Sequence, residues 1–422
     1  MRLLAVALLL AASPTAASEF YTLKGHGGPI MGIDAAPDGR VATASFDNSV
    51  GLWTDRTPHW YDGHEAAVNA VAIDGEELFS AGDDFTLRRW PGGQVIGRHK
   101  GKIVSIAVSA SHVATASWDG TIGLWPRFGE GPTRFLGPVG AGVNAVTFAR
   151  GGEQLYSAGM DGRLLLWDVA SGRELQEVLS HGFGINELVL DPSESWLAYG
   201  AVDGVTRIRN LATGAERDFT LDRRPILALA LSPDGKDLAV GDGEGYIMVI
   251  DTDAWRITRD FRAALRGPIW ALAFSADGQN IHAGGIDNAV HSWPIASLGE
   301  HEPIATGEQR FLKDPETMEN GERQFARKCS ICHTLTPDSA RRAGPSLYGL
   351  FDRPAGTLPG YHYSETLAQS EVIWTADTID ALFDEGPDHY IPGSKMPMQR
   401  IAKPQDRADL IDYLRRATRQ EN

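Results

Sequence analysis

Cysteine is nearly missing from this chain. Only Cys329 and Cys332 occur in 422 residues, so neither a disulfide framework nor a four-ligand cysteine zinc site is available. Positive charge is also short. Lys and Arg number 39 against 55 Asp and Glu, a net charge of −16, with most of the excess acid in residues 1–306. A surface of that sign repels phosphate and argues against nucleic acid as a partner. Long hydrophobic runs are lacking too. The apolar stretch 3–12 is shorter than the about 20 residues that a membrane-spanning helix needs. Preceded by Arg2 and followed by small residues, it reads as a secretory signal over residues 1–18, with cleavage near Ala17 or Ser18 and a soluble, periplasmic product. No later stretch is apolar enough to span.

What the chain does have is glycine (47 residues) and tryptophan (11), which favour a turn-rich β architecture over helix bundles. From residue 19 to 298 an Asp-x₅-Trp pattern recurs: Asp47 and Trp53, Asp84 and Trp90, Asp119 and Trp125, Asp161 and Trp167. It continues in weakened form at Asp203 and Arg209, Glu244 and Ile250, then Asp287 and Trp293. Each unit opens on an apolar pair three apart, such as Val68 and Val71. A period near forty with this signature resembles the WD repeat, whose units are four-stranded propeller blades. Seven units imply a seven-bladed all-β propeller over residues 19–298. The resemblance also implies a hydrogen-bonded set of His, Ser or Thr, Asp and Trp in each blade. His26, Thr43, Asp47 and Trp53 match it, as do His64, Ser80, Asp84, Trp90 and His99, Thr115, Asp119, Trp125. Val139, Asp222 and Leu265 stand where later units would carry the histidine. His26, His64, His99 and His181 are therefore structural in this reading, and His59, His112, His282 and His291 share no register that would make a metal hub. Residues 19–23 read as a short strand that completes the last blade and removes its open edge.

After Trp293 the pattern ends. Residues 299–317 are polar, with Pro and Gly, and read as a linker. An amphipathic helix then runs into Cys329-Ser-Ile-Cys332-His333, the c-type haem attachment pattern. Two residues between the thiols let both sulfurs reach neighbouring vinyl groups of one ring, and the adjacent imidazole can serve as an axial ligand.

From 318 to 422 the order of features resembles a class I cytochrome c, a small all-α domain. Gly321 and Phe325 precede the attachment motif. The stretch 343–351, then 359–363, Trp374, the loop 390–396 and an amphipathic helix at 405–416 follow it. The resemblance implies one covalently attached haem c on Cys329 and Cys332, with His333 and Met396 as iron ligands. Met398 is the rival of Met396. Pro345 would orient the imidazole through its carbonyl, and Arg353, Tyr363 and Trp374 would face a haem propionate, with Ser394 on the methionine loop. Two positions depart from the family: Leu382 where a tyrosine is common and Leu367 where an asparagine is common, which implies a drier pocket.

A six-coordinate His/Met iron leaves no open position for substrate, so the expected function is single-electron transfer rather than catalysis. The propeller would be a docking platform for a redox protein. The residues just before each turn aspartate (Phe46, Asp83, Trp118, Met160, Val202, Gly243, Ile286) include five apolar ones, and Phe46, Trp118 and Met160 are the expected partner surface. The alternative is an oxidoreductase with a second cofactor in the propeller and the cytochrome as its relay.

Overall fold

The computed structural model describes residues 19–128, 131–223, 225–298, 300–304, 314–337 and 341–419. The expected signal segment 1–18 lies outside the described residues. Among the described residues, no helix is long and apolar enough to cross a membrane.

Seven four-stranded antiparallel sheets follow one another, spanning 30–62, 68–98, 103–136, 143–180, 185–219, 226–262 and 269–294. We call them blades 1 to 7. Burial explains the composition of their strands. A second strand such as Val41–Ser45 is covered on both faces by neighbouring blades and is small and apolar throughout. An outermost strand such as Glu174–Ser180 meets water and is mostly charged or polar. The seventh sheet takes its fourth strand from the start of the chain: Tyr21–Lys24 pairs antiparallel with Ala289–Pro294, so the ring closes.

One device recurs in all seven blades. The first strand bulges after its opening apolar residue, between Ile30 and Gly32, Val68 and Ala70, and at the equivalent place in every other blade. The bulge frees one side chain to reach sideways. Where it is asparagine, it ties two blades together. Asn69 donates to the Ile103 carbonyl at 3.0 Å, Asn144 to Ile185 at 2.9 Å and Asn186 to Ile226 at 2.8 Å.

Inside the blades, tryptophan Nε1 donates to a hydroxyl ten residues earlier: Trp53 to Thr43, Trp90 to Ser80, Trp125 to Thr115 and Trp167 to Ser157, at 2.8–2.9 Å. That hydroxyl meets histidine Nε2 in blades 1 to 3 at 2.7–2.8 Å. Histidine Nδ1 in turn meets the turn aspartate. Blade 6 differs from the expected register. Asp242, not Glu244, takes the turn role, accepting from the Glu244 and Tyr246 amides at 2.9 and 3.0 Å. Arg223 replaces the histidine and donates to Asp242 at 2.7 Å.

The propeller's packing does not end at residue 298. Ile304 donates to the Ala263 carbonyl at 2.9 Å and accepts from Leu265 at 3.1 Å. The early part of the expected linker therefore forms an extra bridge to the connection between blades 6 and 7.

The C-terminal domain holds helices α1 (Asn320–Lys328), α2 (Glu365–Ala368), α3 (Ala376–Glu385), α4 (Pro387–Tyr390) and α5 (Pro404–Ala417). Helices α1 and α5 cross closely because Gly321 has no side chain: a β-carbon there would lie 2.1 Å from the Asp409 carbonyl oxygen. Phe325, buried to 1 %, fills the crossing beside Tyr413 and Leu410. Truncating such a side chain to alanine costs about 3–5 kcal/mol. Arg407 of α5 pairs with Asp380 and Asp384 of α3 at 2.8 and 2.9 Å. The three helices form a rigid frame with a cavity on one side.

Candidate haem-binding site

The end of α1 builds the first wall of that cavity. Backbone hydrogen bonds from Cys332 and His333 to the Cys329 carbonyl, at 3.1 and 2.9 Å, wind the attachment motif into one turn. Both thiols and the imidazole thereby line one cavity. Burial, the main cause, raises the Cys329 thiol to about 12 and the Cys332 thiol to about 11. The thiols stay protonated and apolar, as is suitable for an S–H that is to add across a vinyl group.

His333 Nδ1 donates to the Pro345 carbonyl at 2.7 Å, which leaves Nε2 as the nitrogen able to bind a metal. Burial pulls the imidazole below its ordinary value, so the neutral ring dominates. Gly344 makes room for it: a β-carbon at this position would lie 2.4 Å from the ring.

The opposite wall carries the methionine loop. Met396 lines the cavity and packs on the domain core. Its amide donates to Ser394 Oγ at 3.1 Å, so Ser394 shapes the turn that presents it. Met398 is directed elsewhere, 45 % exposed, with its sulfur against Gly386. Arg353, Tyr363 and Trp374 line the same cavity. The Arg353 guanidinium donates to the Tyr348 and Ser346 carbonyls, both at 2.9 Å, and burial lowers its pKa. Tyr363 Oη accepts from the Leu358 amide at 3.3 Å. Leu367 and Leu382 also face the cavity, so the two departures noted above place hydrocarbon where polar side chains would order water. The donor set (two thiols, one oriented imidazole, one thioether, one half-buried cation) fits a haem with its propionates.

A family model described as Cytochrome c matches residues 318–418. Cytochrome c of Sesamum indicum is 46 % identical over 105 residues, covering 25 % of this chain and 93 % of that protein. The chain belongs to the cytochrome c family. Cytochrome c of Ginkgo biloba is 44 % identical over 102 residues, covering 24 % of this chain and 88 % of the relative. That of Cochliobolus lunatus is 39 % identical over 99 residues, covering 24 % and 91 %. A second model, WD domain G-beta repeat, matches 17–54, 56–91, 93–126, 132–168 and 256–294. The blades it leaves out, 5 and 6, are those where Arg209 and Ile250 replace the tryptophan. A WD-repeat propeller thus precedes the cytochrome c domain, whose family implies a haem c and electron transfer.

Some residues of the cytochrome c site were not singled out in the sequence. Tyr361 lines the cavity, and its hydroxyl donates to the Ala343 carbonyl beside the imidazole seat, at 2.5 Å. It sits two residues before Tyr363 in the same short stretch, so attention to the whole stretch would have found it. The other omission had no local signal. Phe46, Asn48, Ala66, Ala67 and Asp83, all from the propeller, line the cavity that holds His333 and Met396. Phe46 was expected on an outside partner's surface. That expectation is corrected: Phe46 faces the cytochrome domain. Trp118, Met160 and Val202 remain 46–47 % exposed, side by side. A β-carbon on Gly142 would lie 3.1 Å from the Met160 sulfur and 3.3 Å from Trp118 Cα, and one on Gly184 3.4 Å from Val202.

Proposed function

We propose that this protein is a single-electron carrier with one haem c, attached through Cys329 and Cys332 and held between His333 and Met396. The observation that carries this reading is the single cavity that gathers both thiols, an imidazole with Nδ1 already engaged, and the Met396 side chain. When bound, the haem supplies the Fe(II)/Fe(III) couple. The chain's own residues do the rest. His333 and Met396 would hold the iron, Arg353 would neutralise propionate charge, and the apolar wall at Leu367 and Leu382 would keep water out. A soft thioether with an imidazole would favour the reduced state. With both residues holding the iron, no site would be left for a substrate, which favours a carrier over an enzyme.

In the same reading the leader exports the chain to the periplasm, where covalent attachment is completed, and the propeller serves as a platform for a redox partner. The exposed group Trp118, Met160 and Val202 supports such a platform, since clustered apolar side chains mark interaction sites and aromatic anchors dominate their energetics. The propeller's acidity suits a basic partner and salt-dependent association.

The test is spectroscopic. In protein matured in an exporting host, Met396→Ala is expected to abolish the weak sulfur-to-iron band at the red edge of the oxidised spectrum while haem stays attached. Met398→Ala should leave that band intact. The reverse pattern sinks the ligand assignment. Recovery of the chain from the cytoplasmic fraction with no attached haem would sink the export reading.

A further inference from the structure

The first docking partner of the propeller is in the same chain. We propose that blades 1 and 2 are the seat of the chain's own cytochrome domain, and that seating closes the mouth of the haem cavity against outside reductants and oxidants. The consequence for electron exchange rests on the haem reading above; the seat itself does not.

Two observations carry it. First, the cavity wall is composite. Phe46 and Asn48 of blade 1, with Ala66, Ala67 and Asp83 at blade 2, complete a cavity otherwise built by the C-terminal domain. Phe46 is larger than its turn needs, and an apolar ring suits a wall facing Leu367, Leu382 and Met396. Second, Arg341 is a charged latch. Its guanidinium pairs with Asp62 and lies 4.7 Å from the centre of the Trp60 ring. Trp60 itself packs on His26 and Trp53, 4.7 and 5.4 Å away, so the latch grips the rigid hydrogen-bonded set of blade 1. Charge complementarity extends along the cleft, with Asp62 and Glu65 on the propeller side and Arg341 and Lys395 on the other.

A partner that reaches the exposed Trp118, Met160 and Val202 therefore stands beside a closed mouth. Asp83 links the two surfaces: it lines the cavity and accepts from Lys102 at 2.5 Å, and Lys102 lies over the Trp118 ring at 5.6 Å. A basic partner competing for Asp83 or Asp62 would loosen the seat while docking.

The experiment uses the full haem-bearing chain. Arg341→Ala removes the latch without touching the haem site. Arg341→Glu sets like charges against Asp62, and Arg341→Glu with Asp62→Arg restores an opposite pair. Two quantities are read: amide exchange at 62–67 and 343–347, and the second-order rate at which tris(phenanthroline)cobalt(III) takes one electron from the reduced protein, becoming cobalt(II). The expected result is faster exchange at both segments and an electron-transfer rate at least tenfold higher in Arg341→Ala and Arg341→Glu, with the absorption spectrum unchanged and the charge-swapped pair restored toward the parent. Exchange and rate within twofold of the parent in both single variants would overturn the proposal, as would a charge swap that restores nothing. A parent chain without a haem spectrum would instead strike the electron-carrier reading, and amide exchange alone would then decide the seat.

Discussion

Blades 1 and 7 are neighbours in the ring and solve one burial problem in opposite ways. Each must hide a tryptophan whose Nε1 needs an acceptor. In blade 1, Trp53 donates to Thr43, Thr43 contacts His26 at 2.7 Å, and His26 reaches Asp47 at 3.0 Å, so every buried polar atom of the set has a partner. Burial alone would raise Asp47, yet His26, Ser49 and the Gly27 amide hold its carboxyl below the ordinary range. In blade 7 the residue ten before Trp293 is Ala283, and Trp293 Nε1 is buried without an acceptor among the described residues. His282 Nδ1 and His291 Nδ1 are left in the same state. Rings take over instead: Phe20 and Phe261 lie 4.8 and 5.5 Å from Trp293. A blade can thus be sealed by a directional network or by apolar packing. The network is complete in blades 1 to 3, the first two of which carry the proposed seat.

The comparison can be broken from the blade 1 side first. Thr43→Val keeps the shape but orphans Trp53 Nε1 and His26 Nε2, and at roughly 1–3 kcal/mol per buried group it should cost about 3 kcal/mol in denaturant unfolding followed by tryptophan fluorescence. A loss near zero would mean the network is ornamental. Blade 7 should instead reveal itself through acid. Burial pulls the His282 imidazole from 6.5 down to about 4. The unfolded chain binds the proton first, so stability falls as pH drops from 6.5 toward 4 and levels off below, by on the order of 3 kcal/mol. His282→Gln should flatten that window.

Blade 2 loses stability in a more acid window. Burial would raise Asp84, but His64, Thr86 and the Glu65 amide bring it down to about 2. Its contribution is complete above the unfolded value of 3.8 and disappears as pH falls through about 2, by on the order of 2 kcal/mol. Asp84→Asn should remove that step and leave the His282 window unchanged. The smallest effect sharpens the contrast: Ala283→Ser offers Trp293 the missing acceptor and should raise stability by about 1 kcal/mol.

Much of this was legible in the chain. The recurring Asp-x₅-Trp register placed the blades because each unit repeats one packing solution, and the attachment motif placed the haem site because its chemistry tolerates little variation in spacing. Reading broke down where a role passed to another residue type. Asp242 with Arg223 does in blade 6 what Asp and His do elsewhere, and a pattern centred on the later acidic residue missed it. It also broke down where distant segments meet. Nothing local marks Ile304 as returning to the connection between blades 6 and 7, or Phe46 as a wall of someone else's cavity, since an apolar residue before a turn looks the same whether it faces solvent, a stranger or its own chain. Met396 was already preferred to Met398 on the register of the loop, and the turn shaped by Ser394 accompanies its place on the cavity wall.

The bridge at Ile304 has one more consequence. It anchors the exit of the propeller on the connection between blades 6 and 7. Residues 305–313 alone separate this anchor from Asp314, where the described cytochrome segment resumes, and at full extension they reach about 35 Å. A domain on so short a tether meets a seat within its reach at an effective concentration in the millimolar range. A tenfold rate gain on opening requires the seat to be occupied about nine-tenths of the time, so its intrinsic dissociation constant must lie about tenfold below that concentration, on the order of 0.1 mM.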